Sequence, residues 1–156
     1  MNTLWMLIGV SGSGKSTWIK QQGFNDSVFI ASTDQLIEDY AASQGLTYSD
    51  VFPKYILEAT ARMNLAIQDA VRDGRDIVWD QTNLNPRSRR TKLKMLKGYT
   101  KNAVVFKIPN EDVLAERLAN RPGKTIPENV IQSQIAALRE PNNTEGFDSV
   151  IFVDNP

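Results

Sequence analysis

The chain has 156 residues, of which 41% are hydrophobic, and its 18 basic side chains balance its 18 acidic ones. The length predicts one domain, and the charge balance argues against a histone-like nucleic-acid binder while leaving room for a local basic groove. The absence of cysteine excludes disulfides and thiolate chemistry, and the absence of histidine removes the usual general base near neutral pH.

Five short apolar runs predict β-strands, and helix-forming stretches separate them. The strands are expected at residues 4–9, 28–32, 76–80, 103–108 and 149–153. These runs are continuous rather than alternating, as expected of strands buried on both faces of a parallel sheet. Helices are expected after Lys15, at 34–43, from Pro53 to Gly74, from Pro86 to Gly98, at 111–120 and after Pro127. Because strand and helix alternate, we expect a single α/β domain over residues 1–156.

The segment between the first strand and the first helix matches the phosphate-binding motif G-x-x-x-x-G-K-[ST] without a gap. Its glycines let backbone N–H groups close around phosphate oxygens. Lys15 is expected to reach the β- and γ-phosphates of ATP, and the Ser16 hydroxyl to bind Mg²⁺. The alternative is a Gly-Ser turn that matches by chance. We predict that ATP is bound by Gly9, Ser11, Gly12, Ser13, Gly14, Lys15, Ser16 and Thr17.

This motif defines the phosphate donor and leaves the acceptor open, because kinases, GTPases and motor ATPases share it. The sequence contains no N-K-x-D segment, which argues against a GTPase. A short chain with a single phosphate loop favours a nucleotide or metabolite kinase.

Two carboxylates follow predicted strands at the sheet edge where α/β proteins bind ligands. Asp34 follows the second strand and could take the proton of an acceptor hydroxyl, although Thr33 or Asp34 could equally serve as the cap of the next helix. Asp80 ends the third strand, which is typical of a carboxylate that holds Mg²⁺ directly or through water.

Two arginines predict a lid over the donor site. Arg117 and Arg121 are four residues apart, so we expect them to share one helix face, and a Gly/Pro segment around Gly123 follows them. Closure of such a lid would bring guanidinium groups to the transferring phosphate and exclude water. The alternative is a solvated surface helix, with Glu111 and Glu116 nearby.

The segment Asp80-Gln81-Thr82-Asn83-Leu84-Asn85-Pro86 resembles the D-x-T-N segment of bacteriophage-type polynucleotide 5′-hydroxyl kinases. The phosphate loop and the lid, Arg117 to Pro127, resemble the same family in the same order. The resemblance implies a kinase domain, without the family's phosphatase domain, that uses ATP and Mg²⁺. It implies Asp34 as the base, Thr82 and Asn83 near the acceptor, and Lys15, Arg117 and Arg121 on the phosphates.

Two positions depart from the family. The family has an arginine one helical turn after the catalytic aspartate, which holds the 3′ phosphate of the acceptor, and Ile37 stands here instead. Gln81 precedes Thr82 where the family has aspartate, and Asp80 lies one position earlier. Both departures leave the kinase prediction intact and leave the acceptor open.

Basic residues crowd the predicted helix after Pro86, and this patch could attract nucleic-acid phosphates. The residues are Arg87, Arg89, Arg90, Lys92, Lys94 and Lys97. The alternative is a solvated helix face. Arg87 is closest to the Thr82-Asn83 segment, so an acceptor held by Arg87 could compensate for Ile37.

Together these features predict a P-loop kinase with five parallel strands in the order 2-3-1-4-5, helices on both faces and an arginine lid. The expected reaction transfers the γ-phosphate of ATP to the 5′-hydroxyl of DNA or RNA. The alternatives are another acceptor (a nucleoside, a small metabolite or a hydroxymethylated base in DNA) and an ATP-binding module that does not transfer phosphate. Residues 1–3 lack the positive segment of a signal peptide, and no apolar run approaches the roughly 20 residues that span a bilayer. We expect a cytoplasmic protein (host cytoplasm if phage-encoded); the oligomeric state stays open.

Overall fold

A parallel five-stranded sheet forms the centre of the computed structural model, which describes residues 1–154; residues 155 and 156 of the predicted domain lie outside the described residues. The strands are β1 (Thr3–Ile8), β2 (Phe29–Ala31), β3 (Ile77–Trp79), β4 (Thr100–Phe106) and β5 (Ser149–Val153). They lie in the order β2-β3-β1-β4-β5, all parallel, which confirms the predicted fold class and strand order. Met6 of β1 pairs with Trp79 of β3 and Ala103 of β4, so the carboxyl ends of the central strands share one edge.

Within the described residues 1–154, six helices connect and cover the strands. They are α1 (Lys15–Gln22), α2 (Thr33–Gln44), α3 (Tyr48–Arg72), α4 (Pro86–Leu93), α5 (Glu111–Ala119) and α6 (Glu128–Ala137). Alternate side chains of β1 enter opposite faces of the sheet: Met6 packs with Met63 of α3, whereas Leu7 packs with Trp18 of α1. The sheet is thus covered on both faces, as predicted. No helix in residues 1–154 combines the length and apolarity that a membrane crossing requires.

Three helix boundaries differ from the predictions. Helix α3 begins at Tyr48 rather than Pro53, because Thr47 and Asp50 form a reciprocal capping box that starts it one turn earlier. Helix α4 ends at Leu93 rather than near Gly98, because tighter turns follow it and bury Leu96.

The third boundary concerns the arginine lid. Helix α5 ends at Ala119, so Arg121 lies beyond the helix and does not share a helical face with Arg117. Pro122 explains this end, since the residue before a proline disfavours the α conformation.

Candidate active site

The phosphate loop joins β1 to α1 and packs against α5, the helix that the sequence predicted as part of a lid. Gly12 and Gly14 adopt φ angles of 84° and 103°, a left-handed backbone that favours glycine. A Cβ atom on Gly12 would lie 2.8 Å from a methyl group of Leu114 in α5, so a larger residue would force that side chain to move. Gly14 precedes Lys15, the first residue of α1, and the positive end of the helix dipole therefore faces the loop.

The side chains around the loop bind its own backbone. The ammonium group of Lys15 donates to the carbonyl oxygens of Gly9 (2.8 Å) and Val10 (2.9 Å). Arg117 donates to the Gly12 carbonyl at 3.1 Å. Gln134 of α6 accepts from the Ser11 N–H at 2.8 Å and donates to the Ser11 hydroxyl. Burial lowers the pKa of Lys15 to about 8, although the nearby carboxylates Asp80 and Asp34 oppose this shift.

Asp34 lies in the first turn of α2, but it is not the helix cap. Ser32 caps α2 by accepting from the Gln35 N–H, so the Asp34 carboxylate is available for other contacts. It accepts from the Tyr48 hydroxyl at 2.7 Å and pairs with the Lys124 ammonium group at 2.8 Å. Partial burial raises the pKa of Asp34, but Lys124 outweighs it and holds that pKa below its usual value.

Asp80 follows β3 directly and lines the same cleft as Ser16. Burial raises the pKa of Asp80, and the charge of Lys15 partly opposes this. Within residues 1–154 no cluster of three or more His, Cys, Asp or Glu side chains could hold a metal by itself. Mg²⁺ commonly binds one or two protein oxygens and completes its shell with phosphates and water. A hydroxyl and a carboxylate at one cleft therefore fit that ion.

A polar cleft of about 810 Å³ collects most of the predicted residues. It is lined by Ser11, Gly12, Gly14, Lys15, Ser16, Thr17, Asp34, Asp80, Thr82, Arg117 and Arg121. Four predicted residues are not among its lining: Gly9, Ser13, Asn83 and Arg87. Gly9 and Ser13 belong to the phosphate loop but do not line the cleft. The Gly9 N–H donates to the Thr82 carbonyl at 3.0 Å, and Ser13 is buried.

Asn83 braces the site rather than lining it. Its side chain is buried, and its amide donates to the Leu7 carbonyl at 2.7 Å. Its backbone has a φ of 49°, and its side-chain oxygen accepts from Lys92. Its own carbonyl accepts from Arg89 at 2.9 Å. Asn83 was predicted to bind the acceptor, but its polar atoms form hydrogen bonds within the protein.

The basic run is not one solvated patch. Arg89 is fully buried and forms a double hydrogen bond with Glu145, at 2.7 and 3.0 Å. Lys92 lies over the Trp79 ring, and burial lowers its pKa to about 8. Arg87 is exposed on α4. The sequence predicted either a phosphate-binding patch or a solvated helix face. Both predictions are wrong for Arg89 and Lys92, because these side chains point into the protein.

Sequence reasoning did not assign a role to several residues of the cleft. Lys124, in the loop after α5, is the partner of Asp34, and the sequence signal was a cation in the Gly/Pro segment of the lid. Gln134 gave no signal, because nothing in its helix indicates a contact with Ser11 123 residues earlier. Six more polar residues line the cleft: Gln21, Ser32, Gln35, Glu38, Gln81 and Asn120.

The family model AAA_33, described as an AAA domain, matches residues 4–141. The chain belongs to this family. The match covers the sheet except Thr3 of β1 and all of β5, together with every residue placed in the cleft. The sheet order and the phosphate loop give this member of the AAA_33 family a P-loop kinase fold.

Three similar proteins illustrate the range of the fold. Heterogeneous nuclear ribonucleoprotein U-like protein 2 of Homo sapiens is 25% identical to this AAA_33 chain. The alignment covers 94% of this chain and 21% of that protein. A sugar kinase from Janibacter sp. HTCC2649 is 23% identical (TM-score 0.60), covering 99% of this chain and 86% of the other. The Pnkp1/Rnl/Hen1 RNA repair complex contains a chain that is 24% identical (TM-score 0.66), covering 88% of this chain and 44% of that one. The two solved structures show the fold alone.

Proposed function

We propose that this protein transfers the γ-phosphoryl group of ATP to a hydroxyl group. The observation that carries the proposal is the single cleft that joins Lys15 and Ser16 to Asp34 and Asp80. In open α/β sheets, ligands bind in the crevice outside the carboxyl ends of the strands, and this cleft lies there. A non-catalytic ATP-binding module needs no acceptor base, whereas Asp34 lines the same cleft as Lys15 and its charge acts on that lysine.

The chemistry assigned to each residue follows from its charge and place. Lys15, Arg117 and Arg121 stabilise the charge that develops on the transferring phosphoryl group. Ser16 and Asp80 would hold Mg²⁺, which neutralises charge on the phosphates when bound. Asp34 receives the proton of the acceptor hydroxyl as the acceptor oxygen bonds to phosphorus. The bond between the γ-phosphorus and the bridging oxygen breaks, and its electrons leave with ADP.

A 5′-hydroxyl end of a polynucleotide is the acceptor that we propose first. The segment from Asp80 to Pro86 resembles polynucleotide kinases, and its Thr82 lines the cleft. A similar chain belongs to an RNA repair complex, and a curated relative carries the name of a ribonucleoprotein. The chain spans about a fifth of the length of that relative, so the comparison supports the acceptor class through one shared domain.

An uncharged small hydroxyl compound, such as a sugar or a nucleoside, is the second candidate. Gln35, Glu38 and Gln81 line the cleft beside Asp34, and amide and carboxylate groups of this kind bind neutral hydroxyls well. Ile37, at the family's phosphate-binding position, is fully buried and cannot reach a ligand. A sugar kinase is among the similar structures.

Incubation with γ-³²P-labelled ATP and Mg²⁺ separates these acceptors. The panel contains 5′-hydroxyl DNA and RNA oligonucleotides, hydroxymethylated duplexes, nucleosides and sugars, with the Asp34→Asn variant as control. Label on the 5′ end of an oligonucleotide supports the first candidate, and label only on nucleosides or sugars supports the second. ATP binding without transfer to any acceptor would refute the kinase proposal in favour of a binding module.

A further inference from the structure

Both oxygens of the Asp34 carboxylate are already engaged. One accepts from the Tyr48 hydroxyl at 2.7 Å, and the other pairs with the Lys124 ammonium group at 2.8 Å. A carboxylate in this state is poorly prepared to receive a proton, because each hydrogen bond and the adjacent positive charge favour its ionised form. In the ligand-free protein these two contacts therefore hinder Asp34, the proposed base, from accepting a proton.

The two restraining groups have different freedom to move. Tyr48 is the first residue of α3, and its ring packs against Phe52. Lys124 stands in the loop between α5 and α6, after Gly123, on a flexible four-carbon stem. The loop backbone is tied to α3 on either side of Lys124: the Gly123 carbonyl accepts from the Ser49 N–H (3.1 Å), and the Thr125 N–H donates to the Ser49 hydroxyl (2.9 Å). Any movement of the ammonium group away from Asp34 and from the Tyr48 ring, whose centroid lies 4.3 Å from it, must therefore come from rotation about the side-chain bonds, because the backbone is held in place.

The surroundings of Lys124 contain a stronger attraction when ATP is present. Lys124 lines the same cleft as the phosphate loop, and its charge contributes to lowering the pKa of Lys15. A triphosphate in that loop carries several negative charges against the single charge of Asp34. Coulomb attraction in a partly desolvated cleft then favours the phosphates as partners of the ammonium group.

We propose that Lys124 moves from Asp34 to the transferring phosphoryl group when ATP binds, which couples donor binding to activation of the base. This inference rests on the proposed function and adds a catalytic residue to it. Departure of Lys124 frees one Asp34 oxygen for the acceptor hydroxyl, while Tyr48 keeps the carboxylate oriented. As the acceptor oxygen bonds to phosphorus, its proton passes to that freed oxygen, and Lys124 stabilises the charge on the phosphoryl group until ADP leaves.

The experiment measures the Asp34–Lys124 interaction with and without a donor analogue. Asp34 is identified in ¹³C NMR by its loss in Asp34→Asn, and its pKa is titrated in the wild type and in Lys124→Met. Methionine keeps most of the stem and removes the charge. Each titration is repeated with β,γ-imido-ATP and Mg²⁺. The other charged or titratable groups facing the site, which the comparison holds constant, are Lys15, Glu38, Tyr48, Asp80, Arg117 and Arg121.

Without analogue, we expect a lower Asp34 pKa in the wild type than in Lys124→Met. With analogue bound, we expect that difference to disappear, because Lys124 has left Asp34 in the wild type. A difference of unchanged size in the bound state overturns the proposal. If the analogue does not bind the wild type, the donor site assignment is wrong and this proposal is wrong with it. If the analogue binds and the difference in pKa persists, only the proposal about Lys124 is wrong.

Turnover supplies a second readout. We expect Lys124→Met to lower kcat by about 10²-fold, the scale for losing one electrostatic contact to a transition state. Lys20→Met is the matched control, because Lys20 is exposed in the last turn of α1 and does not line the cleft. An unchanged kcat in Lys124→Met, at the wild-type melting temperature, contradicts the role on the phosphoryl group.

Discussion

Replacement of Arg89 by methionine is expected to destabilise the fold severely, although Arg89 contacts no residue of the phosphate loop. The side chains of Arg89 and Glu145 are 0% and 4% exposed. The substitution leaves the Glu145 carboxylate buried without its partner and removes the donor to the Asn83 carbonyl. Breaking a buried pair by removing one partner costs about 3–5 kcal/mol, and an orphaned buried carbonyl adds about 1 kcal/mol. The sum is a large share of the roughly 5–15 kcal/mol that stabilises a domain.

Urea unfolding followed by tryptophan fluorescence measures this loss as a change in the free energy of unfolding. Arg87→Met, on an exposed residue of the same helix, is the control and should change the free energy by less than about 0.5 kcal/mol. The double variant Arg89→Met/Glu145→Leu should recover most of the loss, because no buried charge remains. If Arg89→Met costs under about 1 kcal/mol, or if the double variant is as unstable as the single one, the reasoning is wrong.

The same ion pair predicts a pH dependence of stability. Burial raises the pKa of Glu145, but Arg89 outweighs it, and the net pKa lies below the ordinary value of 4.5. The folded state therefore binds fewer protons than the unfolded state at acid pH. Wild-type stability from this pair should be fully present above about pH 4.5 and decline as the pH falls through the folded-state pKa. The decline should be absent in the double variant, as measured by urea unfolding at several pH values.

Three further predictions concern the cleft. Lys15→Ala should abolish phosphoryl transfer with an unchanged melting temperature. In the wild type, ATP affinity measured by calorimetry should fall as the pH rises above about 8, because the Lys15 ammonium group then deprotonates. An ATP affinity that does not change with pH up to about pH 9 would contradict this. Asp34→Asn should lower kcat by at least about 10²-fold, since it removes a base and leaves the Ser32 cap intact; near-normal turnover would remove Asp34 from catalysis. Arg121→Lys should lower kcat by about 10³-fold, nearly as much as Arg121→Ala, because lysine lacks the planar guanidinium group that can bind two phosphoryl oxygens. Arg117 variants should lower kcat less. A defect confined to the KM of the acceptor would assign Arg121 to acceptor binding instead.

Local sequence patterns were sufficient for the architecture. Continuous apolar runs separated by helical stretches predicted five parallel strands, and the phosphate motif at the end of the first one located the cleft, because the carboxyl ends of parallel strands meet at one edge. Helix ends were less predictable. Pro53 resembles a first-turn residue, yet the capping box at Thr47 starts the helix earlier, since its two reciprocal hydrogen bonds satisfy backbone donors.

The partners of individual side chains were decided only by the tertiary structure. Lys124 meets Asp34 across 90 residues of sequence, and Gln134 meets Ser11 across 123. Asn83, Arg89 and Lys92 carry polar groups that suggested a ligand surface, but the packing of α4 and of the segment before it turns them inward. A sequence states which groups are available, whereas the direction of each side chain depends on which face of its helix or loop the rest of the chain covers.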